Sequence, residues 1–294
     1  MLAAATNMAV PVDVVDEKRI PEYAGFVVSH LDEFKLVAHE QSGFFNATKL
    51  CLQNGRDYMD YSSPVTDGSD KTELDVLLIA KFGDRPSLNS EDVNAGRMSP
   101  ASGTYVHLLK LLDVAWWLSR EGYVKCAVAA NAFFARTPQR LRKLNAMLKI
   151  GEGDARVEWV DERRRILRIR YAGAEYLADE RGWINASLLC NGYEAFEGTR
   201  EAQRVLHSLD HYLGESPRRQ LDYEEERTIS GTYVHPILAI SALLCRGPEA
   251  YTRLADVIFA RMCEASAAAA AEHRQLAAVG IAAGGQGRRN HVSG

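Results

Sequence analysis

Six consecutive letters occur twice in this chain. Ser102-Gly103-Thr104-Tyr105-Val106-His107 returns unchanged at Ser230-Gly231-Thr232-Tyr233-Val234-His235. Upstream of each copy sits a second shared block. Gly43-Phe44-Phe45-Asn46-Ala47-Thr48-Lys49-Leu50-Cys51 answers to Gly182-Trp183-Ile184-Asn185-Ala186-Ser187-Leu188-Leu189-Cys190. Only the spacing between the blocks differs, 57 residues from Asn46 to Gly103 against 46 from Asn185 to Gly231. Two blocks in fixed order, with length changes only between them, imply a duplicated domain. The unit is too long for a solenoid. A length of 294 residues also makes about two domains at roughly 150 residues each, each long enough for its own core.

The local signals place the blocks on elements. Two short strands are expected near residues 26–28 and 36–38, joined by a polar turn. Asn46 then caps a short helix over residues 47–52, with Asn54-Gly55 as its stop; Asn185 and Asn191-Gly192 repeat the arrangement. Leu74, Val76, Leu77, Leu78 and Ile79 mark a helix entered from Ser69 or Asp70, and residues 83–101 read as a loop. In the repeated hexapeptide, glycine supplies a backbone conformation closed to other residues, and Thr-Tyr-Val favours a short extended piece. A helix follows each copy. In the first, Leu108, Leu111, Leu112, Ala115 and Trp116 form an apolar stripe, and Trp116 and Trp117 are expected to fill core. In the second, Pro236 takes the first helical position. Further helices are expected over residues 123–136, from Thr137-Pro138 onward, and over 200–213. Strands restart at 164–171 and 175–178. The organisation is therefore a flexible arm over residues 1–20 and a first domain over 21–150. Gly151-Glu152-Gly153-Asp154 is the linker, followed by a second domain over 155–265. An alanine-rich helix extension and disordered tail occupy 266–294.

Charge separates the halves. The formal net charge is −4, against the basic footprint usual for nucleic-acid binders. Residues 20–150 hold 15 basic and 15 acidic side chains, whereas residues 152–265 hold 15 arginines, no lysine and 20 acids. Of the two, the first half suits a polyanion better. Between Gly122 and Gly151 stand Lys125, Arg136, Arg140, Arg142, Lys143 and Lys149 with no acid among them. This run reads either as a solvated helix surface or as a phosphate-facing stripe. The five cysteines, Cys51, Cys126, Cys190, Cys245 and Cys263, are odd in number and widely spaced, which suits reduced intracellular thiols. Cys51 with His107, and Cys190 with His235, lack a third ligand or an orienting carboxylate. They read as a packed cysteine and a hydrogen-bonded histidine rather than a metal or nucleophile site. No signal peptide or membrane span is expected.

With both blocks in place, Gly43 to Cys51, then Gly103 to His107 leading into Asp113-Val114-Ala115-Trp116-Trp117-Leu118-Ser119, resembles the KilA-N domain of large DNA viruses and bacteriophages. The resemblance covers about residues 23–136. It returns more weakly over about 164–264, where Ser241-Ala242-Leu243-Leu244-Cys245 replaces the tryptophan-bearing helix. It implies an α+β fold, two tandem copies of a small helix-turn-helix-like domain with short flanking strands, related to fungal APSES-type domains. It also implies DNA binding. Members commonly carry a basic residue soon after the glycine that ends the Asn-Ala-Thr helix; Arg56 follows Gly55, whereas Tyr193 follows Gly192.

These readings combine into a non-catalytic viral DNA-binding protein. Duplex DNA is contacted mainly by the first half through Lys49, Arg56, Lys125, Arg136, Arg140, Arg142 and Lys143. Asn46, Gly103, His107, Asn185, Gly231 and His235 are structural. The second half serves a homo-oligomer or a protein partner. No cofactor, metal or membrane is expected, and the place of action is the host cytoplasm or nucleus, or the virion. The rival is a non-enzymatic interaction or virion-structural protein that kept the fold and lost DNA. Enzyme motifs such as a P-loop, HExxH or GxSxG are absent from the sequence.

Overall fold

The computed structural model describes residues 12–286 except 22, 63–71, 84, 90–92, 94–98, 152–155, 164, 172–173, 180–181, 190–191 and 223–228. It is a mixed α and β structure. The first half runs from a 3-10 turn (Val12–Val14) through β1 (Asp16–Arg19), β2 (Phe26–Leu31), β3 (Phe34–His39), β4 (Phe44–Asn46), α1 (Ala47–Leu52) and α2 (Tyr58–Ser62). It continues with α3 (Glu73–Phe82), β5 (Ser87–Leu88), β6 (Tyr105–Val106), α4 (Leu108–Leu118), α5 (Arg120–Ala135) and α6 (Pro138–Met147). The second half holds β7 (Arg156–Asp161), β8 (Ile166–Tyr171), β9 (Ala174–Asp179), β10 (Ile184–Asn185), α7 (Ala186–Leu189) and α8 (Tyr193–Glu197). It ends with α9 (Arg200–Leu213), β11 (Arg218–Leu221), β12 (Gly231–Val234), α10 (Pro236–Arg246) and α11 (Pro248–Gln286).

Each half forms one antiparallel sheet, ordered β1-β2-β3-β4-β6-β5 and β7-β8-β9-β10-β12-β11. The orders are the same position for position. The repeated hexapeptide explains why. Asn46 is fully buried. Its carbonyl oxygen accepts from Lys49 N at 2.9 Å, and its amide donates to Ala101 O at 3.1 Å and Ser102 O at 3.0 Å. Asn185 accepts from Leu188 N at 3.1 Å and donates to Ile229 O and Ser230 O at 3.3 and 3.2 Å. This packs the asparagine against the glycine backbone. A Cβ on Gly103, at φ +140°, would lie 2.6 Å from the Asn46 side-chain oxygen, and on Gly231, at φ +145°, 2.8 Å from that of Asn185. Thr104 N donates to Thr48 Oγ1 at 2.9 Å, as Thr232 N does to Ser187 Oγ at 3.0 Å. Tyr105 OH donates to Ala101 O at 2.6 Å and Tyr233 OH to Ile229 O at 2.8 Å. Each histidine closes the motif as a helix N-cap, accepting from Leu109 N in α4 and Ile237 N in α10. The hexapeptide is thus a clamp of strand, glycine and cap, and its letters are fixed by packing.

The halves share a main core, and each keeps a smaller cluster of its own, around Phe26, Phe44 and Tyr105 in the first and Ile166, Trp183 and Tyr233 in the second. One apolar cluster joins Leu36, Phe45, Val128 and Phe134 of the first half to Ile237, Leu254, Phe259 and Met262 of the second. The seam is reciprocal. His235 lies 128 residues after His107, as Tyr251 does after Tyr123 and Ile237 after Leu109. Tyr123 OH donates to Ile237 O at 2.8 Å, and Tyr251 OH donates to Leu109 O at 2.7 Å. Each half therefore gives the other the same bond. Helix α5 packs on α9 and α11, while α11 packs on α3 and α5. Lys81 pairs with Asp256 across the seam at 2.7 Å.

Several expectations need correction. Residues 12–19 are no loose arm: Val12 and Val15 are buried, and β1 pairs along its whole length with β2. Strands β1 and β11 escaped the sequence reading because Asp-Glu-Lys-Arg and Arg-Arg-Gln-Leu carry no apolar alternation. Strand β7, on the far edge of the second sheet, was missed although Val157 and Trp159 alternate with charged residues. Helix α3 starts from Thr72, whose side chain and that of Asp75 form a capping box. Ser69 and Asp70, linker residues 152–154, Cys190, Asn191, the arm before residue 12 and the tail from 287 lie outside the described residues.

Candidate nucleic-acid interface

The sequence-predicted cations divide into two groups. At one end of α5, Arg56 is exposed and its guanidinium lies 5.3 Å from the centre of the Trp117 ring. Positive φ at Gly55, +68°, turns the chain out of α1 and delivers Arg56 to that ring. Lys49 projects from α1, half-buried, and Lys125 on α5 pairs with Glu121 at 2.7 Å. Trp117 is 38% exposed, so it is no core residue; its ring meets Tyr61 edge-on. Trp116 is half-buried beneath Arg120, 3.6 Å from ring centre to guanidinium carbon.

The other group sits beyond the far end of α5, whose 16 residues span about 24 Å at 1.5 Å each. There the cations are already engaged. Arg140 is buried. It bonds Glu17 from both terminal nitrogens, at 2.6 and 2.9 Å, and also grips Glu40. These carboxylates hold its guanidinium charge up against the opposing cost of burial. Arg136 donates to Val15 O at 2.5 Å and stands 3.6 Å from Glu17. Lys143 donates to Gln41 O. Of the cations in the α6 region, Arg142 and Lys149 are the exposed ones. The acid-free run is therefore not one phosphate-facing stripe. Its acids come from β1 and the turn after β3, far away in sequence. Arg140, Arg136 and Lys143 tie those segments down.

Nearer Arg56, two further contacts shape the surface, both invisible in the sequence. Gln53 clamps the β2–β3 hairpin to α1: its oxygen accepts from Lys35 N at 3.1 Å and its amide donates to Lys35 O at 2.9 Å. This sets the exposed Lys35 beside α1. Tyr212 of α9 donates to Asp32 in the hairpin turn at 3.0 Å, so the second half steadies this hairpin. Acids share the surface. Asp57 and Asp60 are exposed next to Arg56. Burial, then these two carboxylates, push the Cys51 thiol up to about 12, so it stays protonated and unreactive at neutral pH. His107 is buried and its pKa lowered to about 3, by burial first and then by Lys81. It is a neutral cap. Among the described residues no cluster of three His, Cys, Asp or Glu side chains is placed to hold a metal.

The second half lacks this site's parts. Tyr193 begins α8 and meets Phe196 at 5.9 Å, as Tyr58 begins α2 and meets Tyr61 at 5.9 Å. Tyr193 thus matches Tyr58, and the Arg56-Asp57 pair has no counterpart, correcting the pairing of Tyr193 with Arg56. Leu188 stands for Lys49, 49% exposed. Cys245 stands where Trp117 stands in the first half, 128 residues on. A groove of about 400 Å³ lies there, lined by Tyr193, Phe196, Glu201, Cys245 and Arg246 among others.

No family model matches the chain, and no solved structure matches it. Three curated viral proteins do. One KilA-N domain-containing protein of Invertebrate iridescent virus 6 is 28% identical over 134 residues, 43% of this chain and 36% of its own length. A second from the same virus is 30% identical over 106 residues, 35% of this chain and 29% of its own. A third, from Acanthamoeba polyphaga mimivirus, is 24% identical over 115 residues, 38% of this chain and 24% of its own. The alignments span about a third or less of those relatives' lengths. No described helix is long and apolar enough to cross a membrane. With the clamp of Asn46 and Gly103 in view, these likenesses support a KilA-N domain in this chain.

Proposed function

We propose that the chain is a non-catalytic, DNA-binding protein of viral origin, built from two copies of one domain, of which the first contacts duplex DNA. The observation that carries this reading is the pairing of a KilA-N likeness with an exposed cationic surface at α1 and Arg56 that the second half lacks. Lys49, Arg56, Lys35 and Lys125 make phosphate contacts, and residues of α1 reach base edges. Arg142 and Lys149, at the other end of α5, extend the contact only if the duplex runs that far. Arg136, Arg140 and Lys143 serve the fold. The second half supports the first through the shared core and the Tyr212–Asp32 bond. The site of action is the host cytoplasm or nucleus.

A second reading has its own support. Asp57, Asp60 and Glu121 offset the cations at this surface, the chain is net negative, and two of the predicted phosphate ligands are spent on Glu17 and Glu40. A chain that kept the fold for protein interaction or virion structure would look like this. Fluorescence anisotropy of the whole chain on a random duplex, from 50 to 300 mM salt, separates them. DNA binding predicts an affinity falling by a log–log slope of about −3 to −4 for three or four phosphate contacts. No binding at the lowest salt, with the chain folded, favours the second reading.

A further inference from the structure

Strand β7 is the longest of the four edge strands, six residues against four in β1 and β11 and two in β5. It exposes Val157 at 43% and Trp159 at 42%. Its counterpart in sheet order, β1, carries no apolar side chain, and Arg136 and Arg140 close on its Glu17. Nothing among the described residues closes on β7 in that way. An open edge with apolar side chains is a template for another strand.

The opposite face of β7 says which strand. Arg156 lies across from Arg170 in the sheet register, a like-charged neighbour. Among the described residues Arg156 has no acid within ion-pair reach, whereas Glu158 pairs with Arg168 at 3.1 Å and Arg170 at 3.2 Å. We infer that β7 pairs antiparallel with β7 of a second copy of this chain, about a two-fold axis through Val157. In that register Arg156 faces the second copy's Glu158, and Glu158 faces its Arg156. On the other face Val157 meets Val157 and the Trp159 rings lie diagonal to them. Cross-strand opposite charges and aromatic–aliphatic neighbours stabilise such pairs, and an isologous contact closes at two copies. The two first-half DNA surfaces then belong to one particle. The pairing itself stands whether or not the chain binds DNA.

Sedimentation velocity of the full chain from 1 to 100 µM tests this. The wild type sediments as a dimer in the upper part of that range. Arg156→Glu sets Glu against Glu158 twice and yields monomer, and Val157→Pro, which distorts the strand at the axis, does the same. The double variant Arg156→Glu with Glu158→Arg restores opposite charges and recovers the dimer, which a merely damaged strand would not do. Circular dichroism checks that each variant stays folded. A wild type monomeric at 100 µM overturns the proposal, and so does a dimer unmoved by Arg156→Glu and Val157→Pro.

Discussion

The two halves part company where the long helix of each passes its sheet. In the first, the helix stops at Ala135, Thr137 caps a new one, and Pro138 begins α6. That break brings Arg140 back onto Glu17 and Glu40 and ties β1 to α6. In the second, the same stretch has Ser266 where the first has Pro138 and Ala268 where it has Arg140, 128 residues on. Helix α11 runs straight through, to Gln286. Alanine has the highest helix propensity and proline the lowest, so the composition alone decides break or continuation. The consequence is an edge strand tied through Glu17 to Arg136 and Arg140 in one half and an edge strand with no such tie among the described residues in the other. In the clamp and the seam the halves agree to the level of single hydrogen bonds. Architecture is held by the clamp and the seam; the halves differ at the edges, at the Arg56 surface and at the buried Lys110–Asp75 pair, where the second half has Leu238 in place of the lysine.

That contrast can be attacked from several sides. The strongest is the clamp. Gly103→Ala and Gly231→Ala each force a Cβ into the asparagine cap at positive φ, and each should cost about 3 kcal/mol of unfolding free energy by urea denaturation. Closely similar costs mean the clamp does the same work in both sheets; a silent variant in one half breaks the parallel. Next comes the unequal edge. Arg140→Ala strands Glu17 and Glu40 and should lose about 2 kcal/mol, discounted for their partial exposure. Ala268→Arg, at the matching place, should stay within about 0.5 kcal/mol, and thermal melts distinguish the two.

His107 gives a pH dependence of similar size. Its folded pKa is about 3 against about 6.5 unfolded. The unfolded chain therefore takes up a proton that the fold refuses. Stability from this group is complete above about pH 6.5 and is lost as pH falls toward 3, by about 2 kcal/mol between 6.5 and 5. Asn replaces the cap without titrating, so melting temperatures of His107→Asn at pH 7 and pH 5 should differ less than those of the wild type. Smallest are the seam tyrosines. Tyr123→Phe and Tyr251→Phe each remove one buried hydrogen bond and should each cost about 1 kcal/mol. Unequal losses would show that the reciprocal bonds are not equivalent.

Much of this was legible in the sequence because it depends on local rules. Asn46 and Asn185 as caps, Thr137-Pro138 as a helix start, Pro236 at a first helical position and the α1 span of 47–52 all follow from side chains within four residues of one another. What was missed depends on partners far apart. The acids that neutralise Arg140 lie 123 and 100 residues away. The strand Asp16–Arg19 has no apolar letters, since it is held by pairing to β2 and by those arginines. Trp117 reads as core from its place on an apolar helix, and only the turn at Gly55 shows it beneath Arg56. The shared core is hidden for the same reason: two faces that each look sufficient alone turn out to be completed by one another.

The measurement that bears most directly on the proposed role is DNA affinity of three full-length proteins at fixed, moderate salt: wild type, Lys49→Glu with Arg56→Glu, and Arg246→Glu in the second-half groove. The account predicts at least a tenfold weaker complex and a salt slope smaller by about 2 for the first-half variant. It predicts wild-type binding for Arg246→Glu. Equal affinity for the wild type and the Lys49–Arg56 variant, or a loss confined to Arg246→Glu, would contradict it.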